Sequence, residues 1–212
     1  MLKVLGRATS SNVQKVVWAL DEMDVEYERS DIGGSFGGNR EADYLRLNPN
    51  GLIPTLIDGD AVVWESNTIL RYLANRFGWS ALYPGASHAL ARSEVECWMD
   101  WQQTSLNPGI GPLFVSIIRT PPSQRDAALI EQHRERTLQA LRVLDAALAR
   151  RFADGPFVCG EAFTLADIAL GPQVHRWFEL PIERDELPAL ARWHEKLRHR
   201  PAFARHVMIG LS

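Results

Sequence analysis

Apolar positions change their period several times along this chain. Leu2, Val4 and Leu5 make a short run of strand length, whereas Val13, Val16, Val17 and Leu20 recur at i, i+3, i+4 and i+7 and predict a helix over residues 11–22. Val25 and Tyr27 then alternate with Glu26 and Glu28 as a second strand, followed by a flexible glycine-rich loop at 31–38 and a short helix at 42–47. Residues 55–57 and 61–64 read as the two strands of a hairpin, with Asp58-Gly59 supplying the positive-φ positions of its turn. After Trp64 the helical period returns in Ile69, Leu70, Tyr72, Leu73 and Phe77.

Beyond Tyr83-Pro84-Gly85 strand signals give way to long helical patterns. One helix covers 87–104 and breaks at Asn107-Pro108-Gly109, and an apolar segment at 113–118 ends before Pro121-Pro122. A long helix at 124–152 carries Leu138, Leu141, Leu144 and Leu148 on one face. Thr164 and Asp167 have the spacing of a capping box and open a helix with Ile168 and Ala169 inward, which makes Asp167 a structural acid. Leu187-Pro188 opens a further helix with Leu190, Trp193 and Leu197, stopped by Pro201. The pattern predicts an α+β fold: a β-α-β-α-β-β-α domain over 1–78, a linker at 79–85 and an all-α helical domain over 86–212. The order of the first part resembles a thioredoxin-like domain.

With 212 residues, 46% hydrophobic and 23% charged, the chain can bury a substantial core as one compact unit or two small domains. A net charge of −3 offers no basic field for nucleic acid, and Arg198-His199-Arg200 reads as a solvated helix end. No run approaches the ~20 apolar residues of a membrane span, and residues 1–7 lack the apolar core of a signal peptide, so a cytoplasmic location away from the membrane is expected. Cys97 and Cys159 form no CxxC pair, which argues against a disulfide framework and against thioredoxin-type redox chemistry.

The chemistry gathers in residues 48–73. Asn48-Pro49-Asn50-Gly51 is turn chemistry, and Pro54 stands at the start of a strand, where its missing N–H interrupts no ladder. Glu65-Ser66-Asn67 lies at a helix N-terminus, whose free amides and positive dipole end suit a carboxylate. The sequence of an X-Ile-Pro step, a hairpin and Glu-Ser-Asn opening a helix resembles the glutathione site of the soluble glutathione transferase family. The likeness covers nearly the whole chain, and it points to a bacterial serine-type member similar to the theta, phi and delta classes.

Glutathione chemistry requires a thiolate at neutral pH, whereas an unperturbed thiol has a pKa of about 8.5, so donors or positive potential must lie near the sulfur. Ser10, Ser11 and Asn12 precede or open the first long helix. Ser11 with Gln14 matches a capping box, which occupies Ser11 with the backbone and leaves the Ser10 hydroxyl for the sulfur. The match to serine-type members also lands on Ser10; Ser11 and Asn12 stay open as alternatives. No cysteine lies here and the early Tyr27 falls in a strand, which separates the chain from cysteine-type and tyrosine-type members.

The resemblance further implies that the Ile53 backbone pairs with the cysteinyl backbone of glutathione, that Pro54 is cis, and that Glu65 and Ser66 hold the γ-glutamyl end. Asn39 and Arg40 align with positions that contact the glycyl carboxylate, and Leu52 stands where some members have a glutamine. An acceptor pocket for a small hydrophobic electrophile would draw on Thr9 and on Trp98, Trp101, Pro108, Phe114 and Arg119. Glutathione is then a co-substrate, with no other cofactor, and the protein is expected to be a homodimer. His194 and His199 resemble half of an H-E-x-x-H motif but stand about 140° apart around a helix, so no metal site is expected. Two other activities share these features: a binding protein without catalysis on the same fold, and a glutathione-dependent dehalogenase, lyase or isomerase.

Overall fold

The computed structural model describes residues 1–151, 153 and 155–211. Strands β1 (Leu2–Leu5), β2 (Tyr27–Ser30), β3 (Thr55–Asp58) and β4 (Ala61–Trp64) form one mixed sheet in the order β2-β1-β3-β4. β1 runs parallel to β2 and antiparallel to β3, which pairs antiparallel with β4. With α1 (Ser11–Glu22), α2 (Ala42–Leu47) and α3 (Ser66–Arg76) this is the thioredoxin-like β-α-β-α-β-β-α order.

Two local expectations shift. β2 begins at Tyr27, not Val25, because the Val25 N–H bonds the Leu20 carbonyl at 3.0 Å and closes the end of α1 instead of joining the ladder. In the hairpin Asp58 pairs with Ala61, so the two turn residues are Gly59 and Asp60; Gly59 alone has φ of 59°, and Asp58 remains a strand residue that accepts the Tyr72 hydroxyl at 2.8 Å.

The helical half departs more. α4 (Ala89–Trp101) continues through a π-helical turn at 102–106 into α5 (Asn107–Phe114) and a second π turn at 115–119. Asn107-Pro108-Gly109 is therefore no break. Pro108 sits in a first turn, where an N–H is dispensable, and a Cβ on Gly109 would stand 2.8 Å from Thr137 Oγ1 of α6 (Ala127–Arg151), so only glycine admits that close helix crossing. α6 starts after Asp126, whose carboxylate accepts the Ala128 and Leu129 N–H groups at 2.9 and 3.1 Å, later than the expected residue 124. Phe152, the expected end of that helix, and Ser212, the end of the expected helical domain, lie outside the described residues. α7 (Leu165–Glu179) and α8 (Pro188–Arg198) follow, and Pro201 does not end the helical path but opens α9 (Pro201–His206).

Helix α1 is buried on nearly every side because it lies between the sheet and the helical half. Its Trp18 packs edge-on against Phe203 with centroids 4.9 Å apart, and a Cβ on Gly171 of α7 would stand 2.7 Å from the indole. At the end of α1, Glu22 accepts two bonds from Arg200 at 2.8 and 2.6 Å. Among the described residues no helix is long and apolar enough to cross a membrane.

Candidate active site

A cleft of about 40 Å³ opens where the β3 loop meets the N-terminus of α3, lined by Asn12, Ile53, Pro54, Glu65 and Ser66 together with Asn48 and Leu52. The loop ahead of β3 is held rigidly. Asn48 donates to the Leu52 carbonyl at 2.8 Å and accepts the Asn50 N–H at 3.1 Å, while the Tyr44 hydroxyl donates to Leu52 at 2.6 Å. The Ile53–Pro54 bond is cis. Glu65, the residue before α3, has φ of 69° and ψ of 114°, a strained conformation for a residue with a side chain, costing on the order of 1–3 kcal/mol. Strain of that kind beside a cleft fits a held functional group.

Behind Ser66 stands a residue that sequence reasoning missed. Lys15 of α1 has no exposed surface, and its ammonium donates to Gln102 Oε1 at 2.6 Å, to Asn67 Oδ1 at 3.3 Å and to Ser66 Oγ at 3.4 Å. Gln102, in the first π turn, donates in turn to Gln173 of α7 at 2.7 Å, which donates to Asn107 at 2.7 Å. This polar spine ties both halves of the protein to the cleft. Burial first, then the charge of Arg176, lowers the Lys15 pKa to about 7 against the opposing pull of Glu65. The legible signal was a lysine inside a helix whose apolar residues, with Trp18 and Ala19, cover more than one face.

The first turn of α1 holds the three thiol-activating candidates. The N-cap is Ser10, not Ser11: the Gln14 N–H bonds the Ser10 carbonyl at 2.8 Å, so Ser11 is already helical and the expected Ser11–Gln14 capping box does not form. The Ser10 hydroxyl makes no capping bond, and no hydrogen bond to it or to the Ser11 hydroxyl occurs among the described residues. Asn12 lines the cleft, and its buried Oδ1 has no hydrogen-bond partner among the described residues. Asn39 and Arg40 brace the turn before β3, donating to the Gly51 carbonyl at 2.8 Å and the Asn50 carbonyl at 3.3 Å.

On the other side of Ser10, Thr9 and Phe114 are brought together by Arg176, a second residue the sequence did not disclose. Its guanidinium donates to the Thr9 carbonyl at 3.2 Å and lies 4.1 Å from the centroid of the Phe114 ring, over which Arg119 also sits at 5.0 Å. Trp101 instead meets Trp98 edge-on, 5.3 Å between centroids. His194 is buried against His175 at 3.1 Å, whereas His199 is exposed beside Glu195.

Residues 1–75 match the family model described as glutathione S-transferase, N-terminal domain, and residues 127–196 match glutathione S-transferase, C-terminal domain. The chain belongs to the glutathione S-transferase family. Glutathione S-transferase GstB of Escherichia coli (strain K12) is 37% identical over 214 residues, covering 100% of both chains. Glutathione S-transferase 3 of Zea mays is 32% identical over 97% of this chain and 93% of its own length. Among solved structures, the theta class glutathione S-transferase from the citrus canker pathogen Xanthomonas axonopodis pv. citri, with glutathione bound, is similar at a TM-score of 0.92 and 41% identity, over 100% of this chain and 99% of that chain. Gln102, Phe114 and Arg119 of this glutathione S-transferase all fall in the stretch between the two matched domains.

Proposed function

We propose that this chain is an enzyme that transfers glutathione to an electrophile, holding the tripeptide in the cleft at the N-terminus of α3 and activating its thiol at the first turn of α1. The observation that carries this reading is the convergence of Ile53, Pro54, Glu65, Ser66 and Asn12 on one cleft. The similarity of the whole chain to a structure with glutathione bound supports it.

In this mechanism the γ-glutamyl carboxylate docks at the α3 amides and the Ser66 hydroxyl, with the Lys15 cation behind, and the Glu65 carboxylate takes the ammonium. The Ile53 backbone pairs with the cysteinyl backbone, and Arg40, supported by Asn39, faces the glycyl end. The Ser10 hydroxyl donates to the sulfur, and the positive end of α1 adds to the effect, so the thiol gives its proton to solvent below its ordinary pKa. The thiolate then forms a carbon–sulfur bond to the electrophile as the leaving group departs with its electron pair. Glutathione is the co-substrate, and the cytoplasm is the compartment in which thiols stay reduced.

A two-fold homodimer belongs to the same proposal, supported by apolar side chains exposed along β4 and on both sides of it in sequence: Leu52, Val62, Trp64, Phe77 and Leu90. Light scattering at micromolar concentration should give twice the chain mass, and a monomer would overturn that part. The activity is tested by retention on immobilised glutathione, elution with free glutathione, and conjugation of a chlorodinitrobenzene. Retention without turnover would favour a binding protein on this fold.

A further inference from the structure

We infer that the acceptor subsite beside Ser10 is cationic, with Arg7, Arg119 and Arg176 arranged to hold a carboxylate or similar compact anion carried by the electrophile; this deepens the glutathione-transfer reading and rests on it. The three arginines come from separate parts of the chain. Arg7 begins the turn that ends at Ser10, whose N–H bonds the Arg7 carbonyl at 3.2 Å. Its side chain lies against Gly34, where an added Cβ would stand 2.9 Å from Arg7 Nε, so the glycine loop makes room for a guanidinium. Arg176 reaches from α7 to the carbonyl of Thr9, the residue before Ser10, and shares the Phe114 ring with Arg119.

Several other arginines sit against carboxylates, as in Arg71 with Asp100, Arg134 with Glu131 and Arg200 with Glu22, while Arg40, Arg125 and Arg184 donate to backbone carbonyls. Among the described residues Arg7 and Arg176 make no ion pair with a carboxylate, in a chain whose net charge is −3. Burial first, and then the positive charge of Arg119 and Arg7, pushes the Arg176 pKa down to about 9, and Arg7 is lowered by burial and by Arg119. Like charges held this close repel one another, and a bound anion relieves that repulsion. Planar guanidinium groups match a carboxylate in two-pronged fashion. Glutathione's own carboxylates are assigned to the α3 amides and to the Arg40 turn, which leaves this group for the second substrate.

The test compares a chloronitrobenzoate with the corresponding chloronitrobenzamide, which differ in charge but hardly in shape. In each the glutathione sulfur bonds the ring carbon, and chloride leaves with the bonding pair while the carboxylate or amide is unchanged. kcat/KM for each is divided by the uncatalysed rate with glutathione. The wild type should favour the benzoate, and Arg7→Met and Arg119→Met should each lower that preference by about tenfold, mainly through KM for the benzoate. Thermal unfolding and KM for glutathione, measured on the same samples, show whether each variant is folded with its glutathione cleft intact. A wild type that converts neither compound overturns the glutathione-transfer reading itself. Equal corrected efficiencies leave that reading standing and overturn the cationic subsite, and a preference untouched in both folded variants overturns its assignment to these arginines.

Discussion

Asp167 and Lys15 are both wholly withdrawn from solvent, but they are bound in opposite ways. The Asp167 carboxylate accepts the Thr164 N–H at 2.9 Å, the Thr164 hydroxyl at 3.2 Å, the Val158 N–H at 3.1 Å and the Trp193 indole N–H at 2.8 Å, which fills its acceptor capacity with groups of the helical half. Lys15 has one short bond, to Gln102, and two long ones, to Asn67 and to the cleft residue Ser66. Burial moves both toward their neutral forms, Asp167 upward and Lys15 downward. Depth and a shifted pKa therefore do not separate scaffold from site. What separates them is where the partners lie: Asp167 is held only by groups of the helical half and fixes the fold, whereas Lys15, its three donors all engaged, reaches Ser66 at the cleft through a long bond and has electrostatic potential left to act on a ligand there.

The largest effect that would sharpen this contrast is Asp167→Ala, which strands the Trp193 and Val158 donors and uncaps α7. It should cost about 3 kcal/mol of stability, read as a large drop in melting temperature, with activity per folded molecule near wild type. A stable variant with abolished turnover would break the comparison. Ser66→Ala should weaken glutathione binding by about 1–3 kcal/mol in calorimetry while moving the melting temperature little.

Lys15 adds a pH dependence. Its folded pKa, about 7, lies below the ordinary lysine value. Its contribution to stability is therefore present above the unfolded pKa of about 10.4 and is lost as pH falls through 7. The stability of wild type relative to Lys15→Met should accordingly rise between pH 7 and 9, at up to about 1.4 kcal/mol per pH unit. S-methylglutathione, which has no thiol to titrate, should bind wild type up to about tenfold more weakly at pH 8 than at pH 6, and Lys15→Met should abolish that trend. A flat profile in wild type would remove Lys15 from the carboxylate's environment. The smallest stability change is expected for Ser10→Ala, a few tenths of a kcal/mol, since the hydroxyl caps nothing. Spectrophotometric titration of bound glutathione should nevertheless show a raised thiol pKa. An unchanged pKa would move the role to Ser11 or Asn12.

Local pattern carried most of the fold. The periods of Val13, Val16, Val17 and Leu20 and of Leu138, Leu141, Leu144 and Leu148, the Gly59 turn and the Thr164–Asp167 box all depend on neighbours in sequence, and each stands where the chain places its element. The cleft residues Glu65 and Ser66 were legible for the same reason, since a helix start is a local event. Errors arose where a distant partner decided the outcome. Pro108 and Gly109 read as a break because the close approach of Thr137, which makes glycine necessary, comes from another helix. The cap is Ser10, whose carbonyl takes the Gln14 N–H and whose own N–H closes a turn back to the Arg7 carbonyl, a backbone arrangement that the Ser-x-x-Gln spacing does not reveal. Lys15 with Gln102 and Arg176 with Thr9 are separated by scores of residues, and no pattern along one helix pairs them. Sequence by itself determined the elements and the family they spell. Only the tertiary structure decided which charges would be buried together, because the energy of a buried charge depends on everything packed around it.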